Sequence, residues 1–521
     1  MLPTTTRTTN LAHLADQAAR RFPDHPALIW GPLRWSWSEL NARVNAMAHA
    51  LVQDFGVRKG DRILVQSVNC NQMFETMLAC FRVGAVWVPA NFRGMPDDLD
   101  WLAQSSGAVG MFCHADFPDH AAHVAPRLKF VITIGYGDHG PSYEDLIRDH
   151  AGETQALAEV HRDDPCWFFY TSGTTGRPKA SVLTHGQMGF VITNHLCDLM
   201  PGLTEQDGTV IVAPLSHGAG LHALLMVARG APTILPNTTR FDPEEIWADV
   251  ARNKATNLFT VPTILKMLTE HPAVDKYDHS SLRYVIYAGA PMYRVDQIHA
   301  LKKLGPVLVQ YFGLGEVTGA ITVLPPALHS ASEDPRPGTC GFPRTGMQVE
   351  IQDADGRALP PGETGEICVI GPAVFAGYWD NPEANAKAFR NGWFRTGDVG
   401  HMDERGFFYI TGRESDMYIS GGSNIYPREI EEKILTFDGI KEVAVVGIPH
   451  PKWGEIGVAI CVADGDIPDI DALQDFLAAK ISSYKMPREF HFWEFLPKSA
   501  YGKITKKMVR EEFLRRREEQ A

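Results

Sequence analysis

The hydrophobic and polar positions along most of the chain follow two alternating patterns. Residues 62–66 form a short apolar run typical of a buried strand, residues 73–83 carry apolar side chains at helical spacing, and residues 85–89 form another strand-like run. Similar strand-like runs recur further along, at residues 209–213, 257–261 and 284–288. Strands that alternate with helices predict a layered α/β architecture with mainly parallel strands, in which ligands bind beyond the carboxyl ends of the strands.

The pattern changes after Arg413. Residues 414–427 are rich in the turn-forming residues glycine, serine and asparagine. A compact α/β pattern follows, with helices predicted at residues 429–436 and 471–481 and strands at residues 443–448 and 458–462. This segment is long enough for a separate domain, since ~100 residues suffice for a compact core. We therefore predict an α/β fold, with a large multi-layered domain of mixed sheets over residues 1–413 and a small mobile domain over residues 414–521.

Composition narrows the partners that the chain is expected to have. The 521 residues carry a net charge of −13, whereas a nucleic-acid-binding protein usually presents a basic face. The densest basic run, Arg515–Arg517, lies among glutamates and predicts a solvated mixed-charge helix. No apolar run approaches the ~18 residues of a membrane span, and the N-terminus lacks the apolar core of a signal peptide. The eight cysteines show no CxxC pair or zinc spacing, so we expect reduced thiols in a cytoplasmic protein.

A polar, glycine-rich segment follows the strand-like run at residues 166–170. Its nine residues, from Thr171 to Lys179, include four hydroxyls, two glycines and two cations. Glycines let a backbone approach a phosphate, and hydroxyls and cations bind its oxygens. The spacing differs from that of the P-loop of nucleotide triphosphatases, because Pro178 would break the helix that must begin there. A plain surface turn is the alternative that this composition leaves open.

The segment from Tyr170 to Lys179 resembles the signature of the adenylate-forming superfamily, which contains acyl-CoA synthetases, carrier-protein adenylation domains and firefly-type luciferases. Further motifs resemble that superfamily over nearly the whole chain. The resemblance implies a ligase that adenylates a monocarboxylic acid with ATP, releases pyrophosphate, and then transfers the acyl group to CoA with release of AMP. It implies Mg²⁺ as cofactor, and a carboxylic acid, ATP and CoA as the small-molecule partners. For this loop it implies that the phosphates are bound by Thr171, Ser172, Gly173, Thr174, Thr175 and Lys179.

Two later segments resemble the adenine-binding motifs of the superfamily. The resemblance at residues 287–291 implies that Gly289, Ala290 and Pro291 bind the nucleotide. Residues 310–316 resemble a motif that usually has the sequence Tyr-Gly-x-Thr-Glu, and they add Tyr311, Phe312, Gly313, Gly315 and Glu316 to the nucleotide site. By position, Phe312 is implied to stack on adenine, and Glu316 to hold Mg²⁺ together with Thr171. Phe312 replaces the usual tyrosine and Gly315 the usual threonine, so a hydroxyl near the α-phosphate is missing.

The ribose and catalytic motifs lie further towards the C-terminus. Residues 393–398 and 411–413 match the superfamily, which implies that Asp398 accepts both ribose hydroxyls and that Arg413 reaches the ribose or phosphate region. Residues 496–504 resemble its catalytic-lysine motif. Lys503 is thereby implied to bridge the carboxylate and the α-phosphate, where its charge would stabilise an anionic transition state.

The acid pocket is assigned by position relative to these motifs. Residues 214–220 resemble the segment whose histidine lines the acyl tunnel, and we include His217 in the catalytic set as an orienting wall, since a carboxylate ionised at pH 7 needs no base. The predicted pocket comprises His217, Ala219, Gly220, Val261, Tyr287, Ala288, Gly289, Leu314 and Gly319. These segments contain no lysine or arginine for a second carboxylate. We expect a monocarboxylate with an apolar body, either aliphatic or aromatic.

The small domain is implied to bind CoA through Ser420, Gly421 and Gly422, whose small side chains would admit a pantetheine arm. The hinge of the superfamily falls on Ser415. Three alternatives stay open at this point: an enzyme that loads a carrier protein, a luciferase-like oxygenase, and a non-catalytic nucleotide-binding protein. Formation of a homodimer is also left open.

Overall fold

The computed structural model describes residues 6–171, 177–238, 240–290, 292–332, 336–498 and 504–520. The strand predicted at residues 62–66 has those bounds, and the helix predicted at residues 73–83 begins two residues earlier, at Asn71. Cys70 accepts a hydrogen bond from the backbone N–H of Met73 and so caps this helix, while Gly84 at φ +72° ends it.

The large domain is built from strands and helices that alternate over much of its length. Its strands are β1 (Arg7–Thr8), β2 (Pro26–Trp30), β3 (Leu33–Ser36), β4 (Arg62–Gln66), β5 (Val86–Pro89), β6 (Gly110–His114), β7 (Phe130–Ile134), β8 (Val160–His161), β9 (Pro165–Thr171), β10 (Lys179–Thr184), β11 (Thr209–Ile211), β12 (Thr233–Leu235), β13 (Asn257–Thr260), β14 (Tyr284–Tyr287), β15 (Leu308–Phe312), β16 (Thr322–Leu324), β17 (Thr339–Pro343), β18 (Gln348–Gln352), β19 (Gly365–Ile370), β20 (Phe389–Arg390), β21 (Trp393–Met402) and β22 (Phe408–Arg413). Its helices are α1 (His13–Arg21), α2 (Trp37–Gln53), α3 (Asn71–Val83), α4 (Pro96–Ser106), α5 (Pro118–Val124), α6 (Tyr143–Asp149), α7 (His185–Asp198), α8 (Gly218–Arg229), α9 (Pro243–Asn253), α10 (Pro262–Glu270), α11 (Ala273–Lys276), α12 (Arg294–Leu304) and α13 (Pro382–Ala388).

Two sheets carry this domain. The shorter sheet has the order β10-β9-β5-β4-β6-β7, and the longer sheet has the order β18-β19-β21-β22-β17-β16-β15-β14-β13-β11-β12-β2-β3. Neighbours are parallel from β2 to β15 and antiparallel from β15 onwards to β18. The expectation of mainly parallel strands is therefore wrong for residues 322–413, whose strands pair only in antiparallel fashion. Tight turns such as Asp403–Gly406, with Gly406 at φ +80°, join antiparallel strands, whereas a parallel pair needs a long crossover.

Helices fill the space between the sheets and cover their outer faces. The largest core packs Met47, Phe74 and Leu224, from helices α2, α3 and α8, between Trp87 of the shorter sheet and Ile286 of the longer one. A second core lies under α9, α10 and α12 on the outer face of the longer sheet, and a third lies under α4 and α5 on the outer face of the shorter sheet. The end of β9 in the shorter sheet lies next to the segment that follows β15 of the longer sheet, where the Thr171 hydroxyl is 3.0 Å from Glu316.

The small domain has one sheet with helices on both faces. Its elements are β23 (Tyr418–Ser420), β24 (Ser423–Ile425), α14 (Pro427–Ile434), β25 (Ile440–His450), β26 (Gly454–Ala463), α15 (Ile470–Ala478), β27 (Glu489–Phe492) and α16 (Lys506–Gln520). Helices α14 and α15 pack on one face and α16 on the other. The predicted fold class, a large domain of mixed sheets with a small α/β domain, is confirmed. The boundary predicted near residue 413 falls at the helical turn Glu414–Asp416.

Within the described ranges, no helix is both long enough and apolar enough to cross a membrane. All eight cysteines lie in those ranges, and all are free thiols.

Candidate active site

The predicted phosphate loop connects the hairpin of β9 and β10. Thr171 and Lys179 are directly opposed in the antiparallel register, so the two ends of the loop lie side by side. Ser172, Gly173, Thr174 and Thr175 lie outside the described residues. At the far end of the loop, the Arg177 guanidinium lies 4.5 Å above the Trp101 ring, and the Trp101 indole N–H donates to the carbonyl of Pro178 over 3.1 Å. Helix α4 therefore anchors the end of the loop.

Three side chains, those of Glu316, Tyr378 and Lys179, meet beside Thr171. The hydroxyl of Thr171 donates to Oε1 of Glu316 over 3.0 Å, and the hydroxyl of Tyr378 donates to the same oxygen over 2.9 Å. Lys179 Nζ lies 5.3 Å above the Tyr378 ring. Burial and the neighbouring Glu316 charge raise the pKa of the Tyr378 hydroxyl, which keeps it a donor at pH 7. Tyr378 was not predicted, because it lies far from the recognised motifs and reaches β10 only through a bridge to Ser181.

The oxygen atoms of this cluster suit the predicted magnesium ion. Mg²⁺ is usually held by one or two carboxylates together with substrate phosphates, and Glu316 and Thr171 would supply a carboxylate and a hydroxyl. In the described part of the chain, no three His, Cys, Asp or Glu side chains are close enough to hold a metal by themselves. A site completed by phosphates fits this donor set better than an all-protein metal site.

Three glycines crowd the segment that follows β15. A Cβ at Gly313 would lie 2.5 Å from the Cα of Gly319, and a Cβ at Gly319 would lie 2.4 Å from the Tyr311 ring. At Gly315 a Cβ would lie 2.6 Å from Cε1 of Phe169. The Phe169 ring thus occupies space that a threonine at position 315 would need, which accounts for the departure from the motif.

The two aromatic residues at the end of β15 have different surroundings. Neighbouring residues of a strand point to opposite faces, and Phe312 is half-buried while Tyr311 is only 6% exposed. The side chain of Tyr311, predicted to contact the nucleotide, is directed instead into the core against His195 and His222. Gly289, exposed at φ +80°, follows the adjacent parallel strand β14, so it lies at the same sheet end as Phe312. Ala290 follows it, and Pro291 lies outside the described residues.

The predicted ribose ligand is a buried carboxylate. Asp398 and Arg413 are opposed across the hairpin of β21 and β22, and Arg413 Nε donates to Oδ1 of Asp398 over 3.1 Å. Oδ2 of Asp398 is buried with no hydrogen-bond partner among the described residues. Burial raises the pKa of Asp398, and the Arg413 charge opposes that effect. An oxygen in this state is suited to accept a hydroxyl hydrogen.

The acid-side prediction centres on His217, which immediately precedes α8. Its ring packs on Phe169 in a T-shaped arrangement, with 5.0 Å between ring centroids. Ala219 is buried in the core, and a Cβ at Gly220 would lie 2.1 Å from the carbonyl oxygen of Leu215. Glycine is therefore required at position 220 by close packing of the helix start.

Tyr287 and Ala288 lie on opposite sides of the long sheet. Ala288 belongs to the core between the sheets, whereas the Tyr287 ring belongs to the outer core. The Tyr287 hydroxyl donates to Gln310 over 3.1 Å and accepts from Gln297 over 2.9 Å. The Tyr287 side chain is thus held away from the face that carries Ala288. Val261 immediately precedes α10, and Leu314 precedes the turn that bears Glu316.

A set of stacked rings lies behind the predicted acid-binding residues, and we call His222, Phe259 and Tyr311 the aromatic floor. His222 stacks on Phe259 at 4.4 Å and 11°, and Tyr311 lies 6.0 Å from both rings at 20° and 12°. Tyr311 packs against Gly319, and Phe259 packs against Gly218, the neighbour of His217. The three rings come from α8, β13 and β15, so no local sequence signal joins them.

A buried cation lies beside the aromatic floor. Arg344 is 1% exposed, and its Nε lies 3.2 Å from Asp198 while Nη1 lies 3.4 Å from the carbonyl oxygen of Gly319. Its Nη2 lies 3.2 Å from Nδ1 of His195. Burial lowers the pKa of Arg344 to about 10, although the Asp198 charge opposes the shift. The charge of Arg344 is thus paired within the protein.

The predicted CoA loop is a tight hairpin turn between β23 and β24. Gly421 and Gly422 have φ of +58° and +84°, and the Gly421 N–H donates to the carbonyl of Trp453 over 2.9 Å. Ser420 is the residue that pairs with Ser423 across this turn. The predicted hinge, Ser415, lies in the turn Glu414–Asp416, and its hydroxyl lies 3.3 Å from Asp416. Lys503 lies outside the described residues.

Known protein families and proteins match most of the chain. The family model for AMP-binding enzymes matches residues 15–379, and the model for the C-terminal domain of AMP-binding enzymes matches residues 429–503. A feruloyl-CoA synthase from an Amycolatopsis species is 37% identical, over 95% of this chain and 97% of that protein. A long-chain-fatty-acid–CoA ligase of Mycobacterium tuberculosis is 31% identical, over 92% and 93%.

A solved structure has the same fold. The o-succinylbenzoate CoA synthetase of Bacillus subtilis, in complex with an acyl-adenylate intermediate, superposes with a TM-score of 0.84 at 28% identity, over 98% of both chains. The chain therefore belongs to the AMP-binding enzyme family, which confirms its predicted place in the adenylate-forming superfamily and its predicted activity class, an AMP-forming acid–thiol ligase that uses ATP, Mg²⁺ and CoA.

Proposed function

We propose that this ligase activates an aromatic monocarboxylic acid and transfers its acyl group to CoA. The observation that carries the proposal is the aromatic floor of His222, Phe259 and Tyr311, which lies against Gly319 and beside the start of α8. Flat rings offer stacking and edge contacts to another ring, and these contacts add to the effect of burying apolar area. The similarity to a feruloyl-CoA synthase supports an aryl acid over a long aliphatic one.

The acid is proposed to carry a single carboxylate. The only cation described next to the aromatic floor is Arg344, and its charge is paired with Asp198. A second carboxylate of the substrate would therefore enter an apolar site without a cation of its own, at a high cost of desolvation.

The first half-reaction is attack of the carboxylate on the α-phosphate of ATP, with pyrophosphate as leaving group. Thr171 and Lys179 are proposed to bind the β- and γ-phosphates, and Glu316 with Thr171 would hold Mg²⁺, which neutralises phosphate charge when bound. Phe312 is proposed to stack on adenine, and Asp398 to accept the ribose hydroxyls. Lys503 is proposed to draw the carboxylate and the α-phosphate together, which offsets their mutual repulsion.

The second half-reaction is attack of the CoA thiolate on the acyl carbon, with AMP as leaving group. We propose that the small domain turns about Ser415 between the half-reactions and presents Gly421 and Gly422 to the pantetheine arm. The tight turn supports this assignment, because Gly422 has no atom within 4 Å of an added Cβ and so leaves space beside the backbone.

A cytoplasmic location is proposed from the same chemistry, since ATP and CoA are intracellular substrates and the cysteines are free thiols.

A screen of pyrophosphate release tests the proposed acid. Straight-chain, branched, aryl and dicarboxylic acids of similar carbon number would be compared by kcat/KM at saturating ATP. We expect aryl monocarboxylates to rank first. A clear preference for long aliphatic chains or for dicarboxylates would contradict the proposal.

A variant of Lys503 tests the proposed division of labour between the half-reactions. Lys503→Ala is expected to nearly abolish pyrophosphate release and to spare thioester formation from a supplied acyl-adenylate. Equal loss of both half-reactions would contradict the role of Lys503 as the adenylation cation. Lys507→Ala, an exposed lysine of α16, is the matched control and should leave both rates unchanged.

A further inference from the structure

His222 is a buried imidazole without a hydrogen-bond partner. Its side chain belongs to α8 and is 1% exposed. Neither Nδ1 nor Nε2 has a partner within the described ranges of the chain. Buried polar side-chain atoms are nearly always hydrogen-bonded in folded proteins, so two orphaned nitrogens on one ring require an explanation.

The surroundings of His222 leave its ring nitrogens to a ligand. Phe259 covers one face of the imidazole in a close stack, and Tyr311 lies nearly parallel at 6.0 Å. Hydrogen bonds at an imidazole form in the plane of the ring, so these stacking neighbours leave both nitrogens unsatisfied. His195 meets the ring edge-on at 5.3 Å, but its Nδ1 contacts Arg344, and its Nε2 also has no partner among the described residues.

His222 is neutral in the folded protein. Burial and, to a smaller extent, the nearby Arg344 charge together lower its pKa to about 3. A neutral imidazole has one N–H donor and one nitrogen acceptor. A hydroxyl group can donate to the acceptor or accept from the donor, whereas a methyl group or a hydrogen atom can do neither.

The position of His222 connects it to the acid. The aromatic floor packs against Gly319 through Tyr311 and against Gly218 through Phe259. Gly319 and His217 are both predicted acid-binding residues, and His217 is the immediate neighbour of Gly218. The imidazole therefore lies on the acid side of the site, behind the residues that border the reacting carboxylate.

We propose that His222 determines substrate specificity by hydrogen-bonding a hydroxyl group on the distal part of the acid, so that hydroxylated aryl acids are the preferred substrates. This inference rests on the proposed function, and it names the polar group that the aromatic site accepts. His222 touches the substrate away from the reacting atoms, so it acts on the choice of acid and not on the chemistry at the α-phosphate.

The test compares pairs of acids that differ by one hydroxyl. Cinnamate and 4-hydroxycinnamate, and benzoate and its 3- and 4-hydroxy forms, would be assayed by pyrophosphate release with the wild type and with His222→Phe. Phenylalanine keeps a flat ring and removes both nitrogens. We expect the wild type to prefer the better hydroxylated isomer by about 10- to 100-fold in kcat/KM, the effect of leaving a buried hydrogen-bonding group unpaired, and His222→Phe to bring the ratio within about 3-fold of unity.

Two further variants separate recognition from folding. His222→Gln keeps one donor and one acceptor and should retain a preference for the hydroxylated acid. Leu225 is also fully buried on α8. Leu225→Met changes the packing but adds no hydrogen-bonding group as strong as an imidazole, so this variant should keep the wild-type ratio. Thermal unfolding would be followed for each variant, so that the ratio of the two acids is compared only between folded proteins.

The outcomes distinguish this inference from the proposed function. If only aliphatic acids release pyrophosphate, the aromatic proposal fails, and the same test is made with alkanoates and their ω-hydroxy analogues. A wild-type enzyme without preference for any hydroxylated acid, or a folded His222→Phe that keeps the wild-type ratio, would overturn the role of His222. Each of these last two results, which concern His222 alone, would leave the proposed aryl–CoA ligase activity unaffected.

Discussion

Phe169 and Gly315 are matched to each other. A Cβ built on Gly315 lies 2.6 Å from Cε1 and 2.7 Å from Cδ1 of the Phe169 ring, so only glycine fits at position 315 while that ring is in place. The Phe169 ring also packs on His217 in a T-shaped arrangement, with 5.0 Å between ring centroids. The Phe169 ring therefore excludes a side chain at position 315, close to the proposed α-phosphate site. The same ring also provides one contact of His217.

We predict that Gly315→Ala destabilises the protein and lowers adenylation, and that Phe169→Ala in the same chain restores part of both losses. Overpacking of this kind costs about 1–3 kcal/mol, and residues in contact are expected to be non-additive. A double-mutant cycle on the free energy of unfolding and on pyrophosphate release measures the coupling. Gly189→Ala in α7 is the control, because its added Cβ meets nothing within 4 Å. Strictly additive effects would show that the two residues are independent.

Tyr378→Phe is predicted to weaken the magnesium-dependent step. The change removes a hydrogen bond to Oε1 of Glu316 but keeps the ring beneath Lys179. Hydrogen bonds to charged groups contribute about 1.5–3 kcal/mol, so we expect a loss of about 10-fold or more in kcat/KM for ATP. The Mg²⁺ concentration for half-maximal rate should rise as well. Tyr136→Phe, at a tyrosine 89% exposed, is the control. An unchanged Mg²⁺ dependence would show that Tyr378 has no role in the proposed magnesium site.

Asp398→Asn is predicted to impair recognition of the ribose. The Asp398 carboxylate has one oxygen bonded to Arg413 and one buried oxygen without a partner in the described structure. We expect the wild type to lose about 10-fold in kcat/KM when ATP is replaced by 2′-deoxy-ATP, which corresponds to one hydrogen bond of about 1.4 kcal/mol. Asp398→Asn should be slower with ATP and should discriminate less between the two nucleotides. Equal discrimination by both proteins would contradict a ribose contact.

The stability of the protein is predicted to depend on pH through His222. Its folded-state pKa of about 3 lies below the value of 6.5 for a free histidine, so the unfolded chain binds the proton first as the pH falls. The stabilising contribution is complete above about pH 6.5 and is lost towards pH 3. Between pH 6.5 and pH 5 the wild type should lose about 2 kcal/mol more than His222→Phe in free energy of unfolding, by denaturant titration. His195 and Arg344, which face His222, are present in both proteins. Parallel curves would show that His222 titrates normally.

Local patterns predicted the elements well but not the contacts between them. The strand at residues 62–66 and the strand that leads into the glycine-rich segment at Thr171 follow from short segments, because an apolar run and a glycine-rich turn are local features. Tyr378 lies far in sequence from both Thr171 and Glu316, and only sheet packing brings its hydroxyl to the carboxylate.

Local sequence patterns do not predict the aromatic floor either. His222, Phe259 and Tyr311 each fit an ordinary amphipathic or buried element, and no spacing rule joins a helix to two strands. Tyr311 was assigned to the nucleotide because it is adjacent to Phe312 in a recognised motif. Alternation along a strand separates the two rings in space.

Product analysis by mass spectrometry tests the central claim, an AMP-forming aromatic acid–CoA ligase, most directly. The purified chain would be incubated with ATP, Mg²⁺, CoA and the best aryl acid of the screen, without any carrier protein. The account predicts equal amounts of aroyl-CoA or aryl-acyl-CoA, AMP and pyrophosphate, with no ADP. Accumulation of the acyl-adenylate with no thioester, relieved only by a carrier protein, or a thioester formed only from aliphatic acids, would contradict it.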